Sequence, residues 1–387
     1  MLLSTIGGVG LWSVVVTLPA IEAEFRVARA SASLPYTLTT VGFACGGVLM
    51  GRLADRFGIA ATVAAGAVTL ALGYVLSAYA TGLWQFALAQ GVLIGLLGSS
   101  ATFGPLMADA SYWFARRRGI AVAIAASGNY FAGTIWPPVV QHFIETIGWR
   151  QTHIGIGVFC LVTMIPLAWT LRRRPPIQPP FAQGELQARA DAPLGMSPTA
   201  LQALLCLASL ACCVAMAMPQ VHIVAYCGDL GYGPARGAEM LSLMLGFGII
   251  SRVASGWIAD HIGGVATLLL GSVLQGVALL LYLMFNGLAS LYVISALFGL
   301  FQGGIIPSYA IIVREYFSPA EAGTRVGFVL MTSLFGMALG GWLSGLIFDY
   351  SGSYQIAFAN GLAWNLLNVS IASWLLLKPR PPRLATA

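Results

Sequence analysis

Arg252 is the residue in this chain whose surroundings ask most insistently for a ligand. It stands in a long apolar stretch with Gly248 and Gly256 one turn to either side, and no acid lies within a turn of it. On a helix it sits roughly 12 Å deeper than Asp260, at about 1.5 Å per residue. A cation at such depth in a bilayer is costly unless it faces a wet cavity or a partner. Guanidinium offers a planar fork that a carboxylate fits in bidentate fashion. The chemistry this suggests is the binding of an anion; the competing role is a structural arginine tied to helix-end carbonyls. Gln302 and Tyr309 share a helix face seven residues apart, with Pro307 loosening the backbone between them. Asn129 and Tyr130 follow Gly128, and His222 and Tyr226 stand four apart. Each can line a cavity or join two helices by a hydrogen bond, a role membrane bundles use routinely. His222 also titrates near neutrality in its ordinary state, which admits a proton-coupling role.

No constellation of covalent or metal chemistry accompanies these residues. The chain has no His-Glu-x-x-His pair, no nucleophile elbow and no phosphate loop. Its six cysteines (Cys45, Cys160, Cys206, Cys212, Cys213 and Cys227) fall in or beside apolar runs without ligand or redox spacing, and read as small packing residues. Catalytic residues, metal ligands and cofactors are therefore not expected. Of the 387 residues 58% are hydrophobic and 8% charged, whereas soluble domains carry about a quarter charged residues. Lipid, not water, is the solvent for most of this surface. The net charge of +6 is read from its placement and not as a sign of nucleic-acid binding.

The elements that must position Arg252 come in two matching sets. Gly51-Arg52-Leu53-Ala54-Asp55-Arg56-Phe57-Gly58 returns as Gly256-Trp257-Ile258-Ala259-Asp260-His261-Ile262-Gly263. Each copy closes one apolar run and opens the next with a tight, charged turn. Tyr112-Trp113-Phe114 likewise matches Glu315-Tyr316-Phe317, and Gly133 matches Gly336 at the same offset. Such repetition across two hydrophobic halves is the mark of a duplicated transporter. Twelve membrane helices are expected at 2–20, 33–52, 59–79, 84–108, 118–141, 152–171, 201–226, 236–257, 264–285, 288–313, 323–347 and 354–377. The first begins with no cationic lead-in and no convincing cleavage site, so it reads as a membrane helix and not a leader. The fold expected is all-α, with six helices in 1–171, a polar linker at 172–200, six more in 201–378 and a tail at 379–387. Placing both termini and the linker in the cytoplasm gathers most of the 19 Lys and Arg residues there, with Arg26, Arg29, Arg150 and Arg236 on the far side.

The twin loops, the six-plus-six arrangement and the central linker resemble the major facilitator superfamily across the whole chain. Trp113 to Gly119, then Ala126-Ser127-Gly128, Gly148-Trp149-Arg150, Gly345 to Asp349 and Gly352-Ser353-Tyr354 resemble its monocarboxylate transporter and oxalate:formate antiporter group. The resemblance implies that Arg252 holds a substrate carboxylate. It also implies that Asp55 latches the cytoplasmic gate, a role the internal repeat extends to Asp260, with Gly51, Arg56 and Gly256 in the same loops. The chain departs from the pattern in two ways: Gly248 stands where proton-coupled monocarboxylate carriers have an acid, and Thr332 and Ser333 where oxalate exchangers have a lysine. One buried cation suits a monoanion. Asp109 is expected to pair with the arginines level with it, Arg52, Arg56 and Arg116. The glycines Gly128, Gly133, Gly336, Gly340 and Gly341 are expected at close helix contacts.

The function expected is alternating-access transport of a small organic anion, a monocarboxylate first of all, across a bacterial-type inner membrane. Protons or a counter-anion are the coupling partners, membrane lipid is the medium, and a monomer suffices. The alternative solute is larger and amphipathic or aromatic, moved in or out. A sensor that binds without transporting lacks any soluble domain to report the binding.

Overall fold

The computed structural model describes residues 1–113, 118–172, 196–317 and 319–378. Among these residues every regular element is helical, which is what lipid demands, since each backbone group must find its partner within its own segment. The first crossing is α1 (Leu2–Gly7) and α2 (Val9–Phe25), followed by α3 (Arg29–Phe57) and α4 (Ile59–Ala78). The fourth crossing is α5 (Leu83–Leu88), a π-helical stretch Ala89–Gly98, a 3₁₀ turn Ser99–Thr102 and α6 (Gly104–Trp113). The first half ends with α7 (Arg118–Ile147) and α8 (Trp149–Thr170). The second half holds α9 (Pro198–Asp229), α10 (Pro234–Ile262) and α11 (Gly264–Met284), then a tenth crossing made of α12 (Leu288–Gln302) and α13 (Ile305–Tyr316), then α14 (Pro319–Ser351) and α15 (Tyr354–Leu377). Ten of these crossings are both long and apolar enough to span a bilayer. The other two, α7 and α15, run 30 and 24 residues, which is sufficient length at 1.5 Å per residue.

The helices run past the ranges expected from hydrophobicity. The second crossing, expected at 33–52, covers Arg29–Phe57, and the seventh, expected at 201–226, covers Pro198–Asp229. Apolar runs mark only the hydrocarbon, whereas the helices continue through the headgroup layer on both sides. Three crossings are also broken where unbroken helices were expected. Each break lies where glycine or serine lets a neighbour come close: Gly7-Gly8, Gly98-Ser99-Ser100 and Gly303-Gly304. A Cβ at Gly95 would lie 2.4 Å from the Thr39 carbonyl oxygen, and one at Gly299 would lie 1.9 Å from that of Met244. The fourth crossing therefore packs on α3 as the tenth packs on α10, and the two six-helix bundles repeat one design.

The duplicated turns repeat it too. Gly58 and Gly263 both have φ 86°, and each donates its N–H to the carbonyl four residues back, Ala54 and Ala259, at 2.9 Å. Only glycine adopts that backbone without strain, so the residue that ends each motif sets the reversal into the next helix. Gly51 and Gly256 behave differently. A Cβ on either would meet nothing within 4 Å, so neither lies at a close helix contact in this state.

The halves meet along two helix pairs. Between α3 and α14, a Cβ at Gly345 would lie 3.0 Å from the Ala30 backbone and one at Gly341 would lie 3.1 Å from the Tyr36 ring. Further along the same pair, Cβ atoms at Gly47, Gly51, Gly323 and Gly327 would meet nothing within 4 Å. Between α7 and α10, Gly133 faces Leu245 and Gly248 faces Tyr130, but Gly256 faces open space. The bundles thus form a V, joined at the face with the α2–α3 turn and apart at the face with the Gly58 and Gly263 turns. Gly128, Gly133, Gly336, Gly340 and Gly341 all lie at close contacts, each with a neighbour that an added Cβ would meet within about 3 Å.

Candidate substrate site between the two bundles

Arg252 lies near the point where the V begins to open. Its guanidinium carbon is 3.8 Å from the centre of the Tyr130 ring, so a cation of the second bundle rests on an aromatic face of the first. The contact needs Gly248: a Cβ there would lie 2.5 Å from the Tyr130 ring edge. The glycine that stands where an acid was sought therefore makes room for the ring. No ion pair forms to Arg252 among the described residues, and its Nε is buried without a hydrogen-bond partner. A ring face contributes about 0.5–2 kcal/mol to a cation and accepts none of the five N–H bonds that a guanidinium offers. The arginine is held in place but not satisfied.

Two more unpartnered polar groups lie in the same layer. Asn129 Oδ1 is buried without a donor, 3.1 Å from where a Cβ on Gly8 would sit. The Asn129 backbone carbonyl accepts from Trp12 Nε1 at 3.1 Å. Gln302, at the break between α12 and α13, has both amide atoms buried and unpartnered. Its neighbour Gly303 packs on Gly248, where a Cβ would lie 2.3 Å from the carbonyl oxygen. Buried polar atoms without partners are uncommon, and such side chains can take a polar solute or ordered water.

His222 and Tyr309 lie elsewhere. Tyr309 is fully buried inside the second bundle, where its hydroxyl donates to Asn368 Oδ1 at 2.8 Å and Asn368 donates to Ser272 at 2.7 Å. His222 is fully buried at the joined face. Its Nδ1 lies 3.0 Å from the Tyr354 hydroxyl and its Nε2 lies 2.7 Å from the Gly341 carbonyl. A carbonyl can only accept, so Nε2 carries the proton and Nδ1 accepts from Tyr354.

That histidine belongs to a latch centred on Arg29. Arg29 Nε donates to Glu22 at 2.8 Å, Nη1 to Asp229 at 2.5 Å and Nη1 to the Tyr354 hydroxyl at 2.9 Å. Phe348 lies under the guanidinium at 4.3 Å. Asp349, at the end of α14, accepts from the first two N–H groups of α3, those of Arg29 and Ala30, both at 2.8 Å. A carboxylate from one bundle thus caps a helix of the other, where unsatisfied N–H groups and the helix dipole favour it. Sequence reasoning assigned none of these five polar residues a role. The signal available was a basic residue on the face poor in basic residues, with acids at the adjoining helix ends.

At the open face, Asp55, Arg56 and Asp260 are exposed, and no ion pair joins them to described residues. Arg56 lies over the Phe57 ring, and His261 Nδ1 faces the Trp257 carbonyl at 2.8 Å. Asp109 forms no ion pair with Arg52 or Arg56, contrary to expectation; the indole of Trp113, one turn on, is its hydrogen-bond partner. Arg116 lies outside the described residues.

Comparison with known proteins bears on the family and the fold. The profile of the Major Facilitator Superfamily matches residues 1–288 and 240–387. Monocarboxylate transporter 13 of Rattus norvegicus is 30% identical over 350 residues, covering 87% of this chain and 77% of the relative. MFS-type transporter pynF of Aspergillus niger is 25% identical over 341 residues, covering 87% and 77%. Among solved structures, a bacterial homolog of the human lysosomal transporter Spinster, described as inward-facing and occupied, superposes with a TM-score of 0.76 at 14% identity, covering 99% of this chain and 97% of that one. The nucleoside transporter NupG gives 0.74 at 16% identity, covering 96% and 98%.

Proposed function

This chain belongs to the Major Facilitator Superfamily, a family of multi-pass membrane transporters, and we propose that its solute is a small organic monoanion held by Arg252. The observation that carries this reading is a guanidinium that rests on Tyr130, lacks a carboxylate among the described residues and sits where the two bundles part. A bidentate carboxylate supplies the charge-assisted hydrogen bonds that the ring cannot. Asn129 and Gln302 accept and donate to the rest of the solute. The likeness to a relative named a monocarboxylate transporter supports the same class.

The parting of the two bundles on one face supports transport by alternating access. The excess of basic residues toward the open face supports a cytoplasmic orientation of that face in a bacterial-type inner membrane; on this reading the Arg29 latch is the outer gate and the state described faces inward. Outward opening breaks Arg29 from Asp229 and Tyr354 and uncaps α3 from Asp349, while Glu22 stays with Arg29 on the first bundle. On the other face, Asp55 and Asp260 close against the facing helix ends. Because Arg252 and Tyr130 come from different bundles, an anion that draws the guanidinium off the ring loosens one contact between them. Proton symport and anion exchange both fit this scheme.

The test is uptake and exchange of labelled lactate, pyruvate and formate by the reconstituted protein. Movement that Arg252→Lys strongly reduces, with the variant still folded in the membrane, is the expected result. No movement of any carboxylate would remove the monoanion reading and favour the alternative of a larger amphipathic or aromatic solute, moved in or out; one relative is named an efflux protein.

A further inference from the structure

In the latch at the joined face, every polar hydrogen has one place to go. Arg29 spends all five of its N–H groups. Nε and Nη2 donate to Glu22 at 2.8 and 3.1 Å, Nη1 and Nη2 to Asp229 at 2.5 and 3.2 Å, and Nη1 to the Tyr354 hydroxyl at 2.9 Å. That hydroxyl accepts from Arg29 and donates to His222 Nδ1, 3.0 Å away, while Nε2 gives its proton to the Gly341 carbonyl at 2.7 Å. One oxygen thus joins the guanidinium to the lone pair of the imidazole. A second proton on His222 would set that oxygen between two cationic donors and leave its own hydrogen pointing at one of them. His222 is 0% exposed and Tyr354 3%, and a charge buried without a counter-charge in contact is costly. The closed latch therefore holds His222 neutral.

The two bundles divide this cluster unevenly. Arg29 and Glu22 belong to α3 and α2 of the first; His222 and Asp229 of α9, Asp349 of α14 and Tyr354 of α15 belong to the second. Tyr226, one turn from His222, lies edge-on to the Tyr354 ring at 5.4 Å and adds no charge at neutral pH. When the bundles part at this face, the first carries away the cation. The second keeps two carboxylates, one stripped of Arg29 and the other of the α3 N-terminus. It also keeps an imidazole whose hydroxyl partner is no longer tied to a guanidinium and which now meets water. Imidazole titrates near neutrality, and a proton on it restores the positive charge that the carboxylates have lost.

We propose that Arg29 and a proton on His222 Nδ1 are alternative cations for one acid cluster, so that parting of the joined face takes up a proton and its closure releases one. The proton comes from the water that enters the face and returns to it; Tyr354 turns its hydroxyl hydrogen away from Nδ1 to accept in its place. A ligand that binds one state alone draws the equilibrium toward that state, so acid opens this face and alkali closes it. With the ordinary histidine pKa of about 6.5 in the open state, the ratio of open to closed rises about tenfold from pH 7.5 to 5.5. Glu22, Asp229 and Asp349 are carboxylates, whose ordinary range near 4 lies below that window. The proposal rests on alternating opening of the joined face and not on Arg252 as an anion site.

The experiment reads the charge on His222 and then the gate. Nitrogen NMR of the full chain with labelled histidine, its His222 signal assigned by loss in His222→Gln, is expected to show the neutral Nε2–H form from pH 7.5 to 5.5. In Arg29→Gln, which removes the cation and keeps a polar side chain, the same signal should titrate to the charged form within that range. A charged His222 in the natural chain, or a neutral one throughout in Arg29→Gln, would overturn the exchange of cations. Arg29→Lys keeps the charge but loses the fork, and so loosens the latch. With spin labels at Thr81 and Asn286, both exposed at this face, and with Cys45 replaced, its open population should rise about tenfold from pH 7.5 to 5.5. Adding His222→Gln should abolish the rise; no rise in Arg29→Lys alone, or an equal rise without the histidine, would assign the gate to other groups. Carboxylate exchange is not measured in either arm, so failure here leaves the monoanion reading standing.

Discussion

Arg29 and Arg252 are two arginines of one chain placed under opposite conditions. Arg29, at the joined face, has two carboxylates, a tyrosine hydroxyl and an aromatic ring around it. Arg252, close to the opening of the cleft, has one ring and a buried Nε with no acceptor. Both bridge the bundles, yet they hold them differently. Breaking a buried ion pair leaves an uncompensated charge and costs about 3–5 kcal/mol, whereas lifting a cation from a ring costs about 0.5–2 kcal/mol. On the proposed reading the saturated guanidinium keeps a face closed, and the unsaturated one is left for the solute. Depth in the membrane does not separate the two roles. The number of acceptors around the guanidinium does.

The hardest blow to that contrast is Arg29→Ala. It strands Glu22 and Asp229 at the interface and should shift the equilibrium toward opening of the joined face by about 100-fold or more, from the cost of the broken pair. Spin labels at Thr81 and Asn286, both exposed at that face, with Cys45 replaced, should show a longer distance in the variant. An unchanged distance would mean that the glycine contacts of α3 with α14 hold the face alone. Arg252→Lys comes next. Lysine keeps the charge but loses the planar fork, and one charge-assisted hydrogen bond is worth about 1.5–3 kcal/mol. Monocarboxylate exchange should fall in kcat/KM by about 10- to 100-fold, with the spin-label distance unmoved. A moved distance would make Arg252 a second latch and erase the comparison. Asp349→Ala then tests the cap separately from the ion pair. Loss of a helix cap costs about 0.5–2 kcal/mol, so the joined face should open by about 3- to 30-fold, less than for Arg29→Ala. An effect as large as that of Arg29→Ala would show the cap and the pair to be one cooperative unit.

Hydrophobic runs and the repeated Gly51–Gly58 and Gly256–Gly263 motifs made the twelve crossings and their pairing legible, because lipid permits few solutions for a chain this apolar. The breaks at Gly8, Gly98 and Gly303 were not legible as breaks, since glycine in a membrane helix serves equally as a packing position. Arg252 stood out because an unpaired cation in an apolar run is rare. Arg29 did not, because its acids lie on other helices and its burial exists only when four helix ends converge. Tyr309 shared a face with Gln302 as spacing required, but which neighbour that face meets is a tertiary fact. Its partner, Asn368, comes from the last helix. Gly248 is the instructive case: its small side was visible as a departure from a pattern, and its reason, the Tyr130 ring, came from the other bundle.

That ring supplies the finest test of the comparison. If Tyr130 only positions Arg252, its aromatic face matters and its hydroxyl does not. Tyr130→Phe should then leave monocarboxylate KM within about twofold, while Tyr130→Leu, which removes a stacking energy of about 0.5–1 kcal/mol, should raise it by about two- to fivefold with kcat little changed. The small size of the effect is itself the point. A ring that held the guanidinium as firmly as the carboxylates hold Arg29 would compete with the substrate, and its removal would lower KM. A lower KM in Tyr130→Leu would therefore assign the ring to gating, and Arg252 would join Arg29 as a residue that chiefly binds the protein to itself.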